Sequence, residues 1–167
     1  MSSQLPALIW GYLMKLDKFG KQLLECLQND GRMANQALAE KVGLSAAACW
    51  RRVKALTDNG VLQGTFSQVQ SEAVGYHLCV FLMVSLTRHN AQTTQAFEDA
   101  VGSYAQVLQF YAVTGDADYM LRVLTPDMAS YDRFLTEKIF TLSSVSQVKS
   151  NFSLRAIKQT TAVPIID

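Results

Sequence analysis

Cysteine, proline and histidine are scarce in this chain of 167 residues, at three, three and two. Cys26, Cys49 and Cys79 form an odd, scattered set without metal-type spacing. That excludes a disulfide framework and a zinc site, and it fits reduced thiols in a cytoplasmic protein. His77 and His89 lie far from any serine, cysteine or carboxylate pattern of a nucleophilic site and read as surface residues at the two ends of a strand. No phosphate-binding glycine loop, dinucleotide fingerprint or nucleophile elbow is present, so no residue is a candidate for catalysis or metal binding. No apolar run reaches membrane-spanning length. The stretch from Leu5 to Leu16 is short, holds Pro6 and Gly11, and has neither a basic leader nor a small-residue cleavage site, unlike a signal peptide. Met14-Lys15-Leu16-Asp17 reads as a natural start, which makes residues 1–14 a poorly ordered extension.

What is present is 49% apolar content, enough for one or two small cores. Net charge is only +1, but it is unevenly spread. Residues 1–66 hold eight Lys/Arg against five Asp/Glu, for +3, and residues 67–167 hold seven against nine, for −2. Such asymmetry suits a nucleic-acid-binding half joined to a half with other work.

Apolar spacing predicts a helix over 17–28, a second over 35–42 with Asn35 as its N-cap and Gly43 as its stop, and a third from the cap Ser45 to Asp58. Val61 to Val69 is β-prone and broken by Gly64, which predicts a two-stranded wing. Residues 15–66 thus read as a winged helix-turn-helix, followed by a hinge over 67–75. Residues 76–167 follow in the order strand (76–86), helix (93–103), strand (107–113), strand (118–124), helix (128–142), strand (145–157). That βαββαβ order makes the chain α+β, with a ferredoxin-like second domain. Its first strand is apolar on both faces: Leu78, Val80, Leu82 and Val84 alternate with Cys79, Phe81 and Met83. Helices hide one face only, so the other calls for a second copy and a homodimer.

At about 100° per residue the third helix turns Cys49, Val53 and Leu56 inward, and Ala47, Trp50, Arg51 and Lys54 outward. An exposed tryptophan beside cations, after small residues at Ala46–Ala48 that permit close approach, suits a DNA major groove. The candidate DNA contacts are Asn35, Gln36, Ser45, Ala46, Ala47, Trp50, Arg51, Arg52 and Lys54, with Arg52 nearer the core edge and suited to a phosphate or structural contact. The second constellation is Thr114-Gly115-Asp116-Ala117-Asp118-Tyr119. Two carboxylates are too few for a metal. A hairpin turn is one reading. The other is capture of a free amino acid: N–H groups near Gly115 take its carboxylate, Asp116 or Asp118 its ammonium, with Tyr111, Val113, Thr114 and Tyr119 around it and Asn151 and Phe152 reaching across the dimer interface.

Leu16-Asp17, Asp30-Gly31-Arg32, Leu38-Ala39, Val42-Gly43-Leu44-Ser45, Cys49-x-Arg51-Arg52-Val53-x-x-Leu56, Gly60-Val61-Leu62, Gly115-Asp116-x-Asp118-Tyr119-x-Leu121 and Asp127-Met128 stand in the order and spacing of one family. With these the chain resembles the leucine-responsive/asparagine-responsive (Lrp/AsnC) transcription regulators. The resemblance implies a homodimer that assembles further to tetramers or octamers, near-palindromic double-stranded promoter sites, no cofactor, and a small amino-acid effector bound at the dimer interface beside the Gly115–Tyr119 loop. An aliphatic or sulfur-containing amino acid suits the apolar surroundings. The ending Ile157 to Ile165 resembles a subgroup controlling amino-acid catabolism or export. Ala46-Ala47-Ala48 departs from the proline-bearing triplet frequent in the family, so the operator need not be a familiar one. Two alternatives stay open. Sirohaem decarboxylases resemble the same two-domain architecture but use histidines near the pocket, which are few here. An amino-acid-sensing module without DNA binding is the other.

Overall fold

A computed structural model describes residues 16–87 and 90–166; the expected N-terminal extension and His89 lie outside the described residues. The chain forms two compact units, one of residues 16–67 with 159–166 and one of residues 68–158.

The first unit holds α1 (Lys18–Asn29), α2 (Asn35–Val42) and α3 (Ala46–Asp58). Asp17 caps α1 by accepting from the Gly20 N–H at 2.8 Å, and Ser45 caps α3 by accepting from the Ala48 N–H at 3.3 Å. Gly43 ends α2 in the left-handed region at φ 75°, a conformation that leaves glycine unstrained and makes the sharp turn into α3. Leu23, Leu24, Leu38, Ala39, Val42, Cys49 and Leu56 form a buried core between the three helices.

The second unit is an antiparallel sheet of β1 (Leu78–Leu86), β2 (Val107–Ala112), β3 (Tyr119–Thr125) and β4 (Val145–Phe152) in the order β2-β3-β1-β4. With α4 (Ala91–Gly102) and α5 (Met128–Phe134) it realises the βαββαβ order. The helix begun by α5 continues as a π-helical turn over Leu135–Ile139. Val80, Leu82, Val84 and Leu86 of β1 are buried with Leu121 and Val123 of β3, beneath Phe97, Val101, Tyr131, Phe134 and Ile139 from the helices. The opposite face carries Cys79, Phe81 and Met83, only half-buried, beside Met120 and Arg122 of β3. The two-sided apolar pattern of β1 thus has one covered and one uncovered side within the chain.

Several expectations need correction. The wing has no strand pairing: residues 61–70 are irregular. The Val61 and Leu62 N–H groups both go to the Leu56 carbonyl, closing the end of α3, and are not available to a ladder. Asn35 is not the cap of α2; Ala34 holds that position without a side-chain bond. The last strand stops at Phe152, five residues short of expectation, and residues 159–166 join the first unit and not the sheet domain. There the Gln28 side chain takes both the N–H and the carbonyl of Val163, and Ile165 packs on the helical core.

Candidate functional site: a basic helix face and a sheet-edge loop

The exposed side of α3 starts from the cap at Ser45, which fixes the first turn and leaves Ala47 exposed. Trp50 follows at 57% exposure, although tryptophan is a large apolar residue that folding normally covers. Arg51 and Lys54 are exposed on the same side. Lys54 spans to Asp58 one turn on, at 2.6 Å, between two side chains that are each more than half exposed. An exposed pair of this kind is worth about 0.5 kcal/mol or less, so a phosphate can displace the carboxylate. The face therefore presents an indole, a guanidinium and a lysine on one rigid helix, which suits base edges and phosphates.

Two of the expected DNA contacts have other work. Arg52 donates to Asp17 at 2.9 Å and stacks its guanidinium 5.4 Å above the Phe19 ring, tying α3 to the start of α1. The Asp17 carboxyl is held below the usual carboxylate range, first by the Gly20 N–H and then by Arg52. Asn35 donates from its side-chain amide to the Ala46 carbonyl at 2.9 Å, locking the start of α2 against the start of α3. Both residues help to position α3, and Arg52, whose side chain is still 39% exposed, fits the phosphate or structural contact expected of it. Gln36 is exposed and pairs with Glu40 at 3.3 Å, which leaves it able to reach outward. Ala46 is half-buried. Asp17 was missed as a positioning residue, although an aspartate just before the first periodic apolar residue is a cap signal. Cys49 is buried, and burial pushes its thiol pKa up, which makes it an inert core residue.

The second constellation lies where β2 turns into β3. Gly115 sits at φ 119°, and a Cβ there would meet nothing within 4 Å, so the backbone conformation and not crowding calls for glycine. Asp118 is a bracket. Its carboxylate accepts from the Leu86 N–H at 2.7 Å, its N–H donates to the Val84 carbonyl at 3.0 Å, and its carbonyl accepts from Val113 at 2.9 Å. Ser85 adds a hydroxyl donation to the Asp116 carbonyl at 3.4 Å. Asp118 therefore closes the hairpin onto β1, a structural use of the carboxylate that stands beside the expected ammonium contact. Thr114 and Asp116 remain exposed on the loop, with Val113 half-buried before them.

The strand registers divide the expected effector residues. Tyr111 stands opposite Met120 and shares the uncovered face with it; Tyr119 stands opposite Ala112 and Val84 and points the other way. Tyr119 is buried between Phe97 and Phe110, with its hydroxyl on Glu98 at 2.8 Å. Burial first, and then the Glu98 carboxylate, push the Tyr119 phenol up to about 12. It is a core residue and cannot wall a pocket beside Tyr111. Phe152 is likewise on the helix side, 5.6 Å from the Tyr131 ring, while Asn151 pairs with Phe81 on the uncovered face. Tyr111 and Asn151 share that face but lie on the two edge strands, three strand spacings or about 14 Å apart. One chain alone cannot bring them together. Among the described residues no cluster of three or more His, Cys, Asp or Glu could hold a metal ion, and no helix is long and apolar enough to cross a membrane.

With this geometry in place, likeness to known proteins is informative. Residues 16–63 match the family model described as winged helix-turn-helix DNA-binding, and residues 79–163 match that of the Lrp/AsnC ligand binding domain. The chain is 36% identical to the DNA-binding transcriptional activator DecR of Escherichia coli K12, over 90% of this chain and 99% of that protein. It is 33% identical to a leucine-responsive regulatory protein of Rhizobium meliloti, over 91% and 97%. Among solved structures, an L-Met complex of a transcriptional regulator from Neisseria meningitidis superposes with a TM-score of 0.85 at 34% identity, covering 89% of this chain and 96% of that one.

Proposed function

Because the chain belongs to the Lrp/AsnC family of DNA-binding transcriptional regulators, we propose that it reads near-palindromic promoter sites with the outer face of α3 and adjusts its occupancy to a small amino acid. The observation that carries the reading is the 57% exposed Trp50 beside Arg51 and Lys54 on a helix held from behind by Asn35, Arg52 and Asp17. A DNA-reading unit gains from such a backing, since a base-contacting side chain must be held close to its productive geometry.

The proposed assembly is a homodimer formed on the uncovered sheet face around Phe81, Met83 and Met120, with tetramers or octamers built from it. Two-fold pairing brings one chain's Tyr111 toward Asn151 of the partner subunit, which no single chain can do. The proposed effector site is then the exposed Thr114–Asp116 segment with Tyr111 and that Asn151. Backbone N–H groups near Gly115 take the carboxylate, and Asp116 the ammonium. A relative named as leucine-responsive and a structural neighbour holding L-Met support an aliphatic or sulfur-containing ligand. The setting is the cytoplasm, where the promoters are, and the regulated genes are those of amino-acid metabolism or transport.

The test is a thermal-shift screen of the twenty L-amino acids, followed by selection of genomic DNA fragments on the purified chain with and without any that binds. Recovery of discrete fragments whose retention changes with a bound amino acid is expected. Retention no better than that of random DNA, at every salt concentration, would overturn the reading.

A further inference from the structure

The first unit is built from two separate pieces of chain, and the second piece is its last described segment. Residue 67 leaves the DNA-reading unit, the sheet domain follows, and residues 159–166 come back. Gln28, near the end of α1, holds this returning segment by its backbone. Its amide donates to the Val163 carbonyl at 3.0 Å and its side-chain oxygen accepts from the Val163 N–H at 2.5 Å. A side-chain amide used in this way imitates a rung of a β-ladder and fixes an extended segment without regard to its side chains. Ile165 packs on the helical core and, with Leu16, Lys18, Lys21, Gln22 and Glu25 of the α1 region, lines a small pocket there. Upstream, the Thr160 hydroxyl accepts from the Ala162 N–H at 3.1 Å and shapes the approach.

We propose that residues 159–166 are a strap giving the DNA-reading unit a second, releasable tether to the sheet domain, fastened to α1. Three observations favour a tether over a passive tail. The strap begins seven residues after β4, one of the two edge strands, held to the sheet along one side only. The same strand carries Asn151, so a ligand held there acts on the strand that leads into the strap. The hold is also weak enough to open: both Gln28 bonds are solvent-exposed and Ile165 is only half-buried. Exposed bonds of this strength exchange with water often and can be switched by a modest shift in the strand before them.

The coupling arm of this proposal rests on the reading above that an amino acid alters DNA occupancy, whereas the tether itself does not. Both arms use the full chain carrying Trp10→Phe, which leaves Trp50 as its sole tryptophan. Gln28→Leu removes the clamp, and Val163→Pro removes the N–H it holds. Hydrogen exchange of amides 18–29 should rise about tenfold in either variant, and Trp50 anisotropy decay should gain a faster component. Unchanged exchange and anisotropy in both variants would overturn the tether. In the second arm, DNA affinity is measured with and without L-leucine and L-methionine. If either shifts wild-type affinity, the variants should keep their unliganded affinity within about twofold and lose more than about half of the shift. A full shift in the variants would overturn the coupling. Should none of the twenty L-amino acids move wild-type affinity, the functional reading fails, and the tether is judged by exchange and anisotropy alone.

Discussion

Asp118 decides between a turn that binds and a turn that holds. The last rung between β1 and β3 is Val84 with Tyr119, so the Leu86 N–H lies beyond the end of that ladder. The Asp118 carboxylate takes it at 2.7 Å in a partly buried position. Asp118→Ala leaves that N–H without its charged acceptor, and a hydrogen bond to a charged group is worth about 1.5–3 kcal/mol. The second unit is 91 residues long (68–158). In a domain of that size each kcal/mol moves the midpoint by about 4–8 °C, so the variant should melt roughly 6–24 °C lower. Asp118→Asn retains an acceptor oxygen without the charge and should lose no more than about half as much. Trp50 fluorescence in the Trp10→Phe background follows the helical unit and should keep its wild-type transition, so the part of the far-UV circular dichroism melt of the full chain that moves away from it belongs to the sheet domain. An Asp118→Ala protein that melts with wild type, yet no longer shifts with any amino acid that shifts wild type, would refute the structural role and restore the aspartate as a ligand.

Three further outcomes follow from the same geometry. Arg51→Ala should weaken specific DNA binding by about 1–3 kcal/mol if the guanidinium meets a base edge, whereas Arg52→Ala should lower the stability of the helical unit with sequence preference kept; fluorescence anisotropy on specific and random duplexes separates the two. Phe81→Asp places a carboxylate at the centre of the uncovered sheet face and should convert the proposed dimer to monomer or insoluble chain, read by light scattering; a dimer of wild-type mass would refute that interface. Tyr119 has its phenol raised from 10.0 to about 12. The folded state thus favours the neutral phenol, and its contribution is complete below pH 10 and lost as pH climbs toward 12. Tyr119→Phe should accordingly lose less stability than wild type across that interval in urea titrations.

The helical unit was largely legible in the sequence because its signals are local. A cap serine at position 45, a glycine at 43 and apolar spacing of three and four fix α2 and α3, and the same spacing foretells which side of α3 meets solvent. The element order of the second domain, and the uncovered face of β1, could be read from periodicity for the same reason: alternation along a strand is a property of consecutive residues. Tertiary contact decided the rest. That Arg52 meets Asp17 rests on a residue 35 positions away, and that Asn35 meets the Ala46 carbonyl rests on one 11 positions away. Tyr111 and Tyr119 look like neighbours on adjoining strands until the register puts them on opposite faces, because a shift of one residue reverses a side chain. The hold of Gln28 on Val163 spans 135 positions and uses backbone groups that every residue except proline possesses. No side-chain pattern could announce it, so only the folded chain could show where residues 159–166 are fastened.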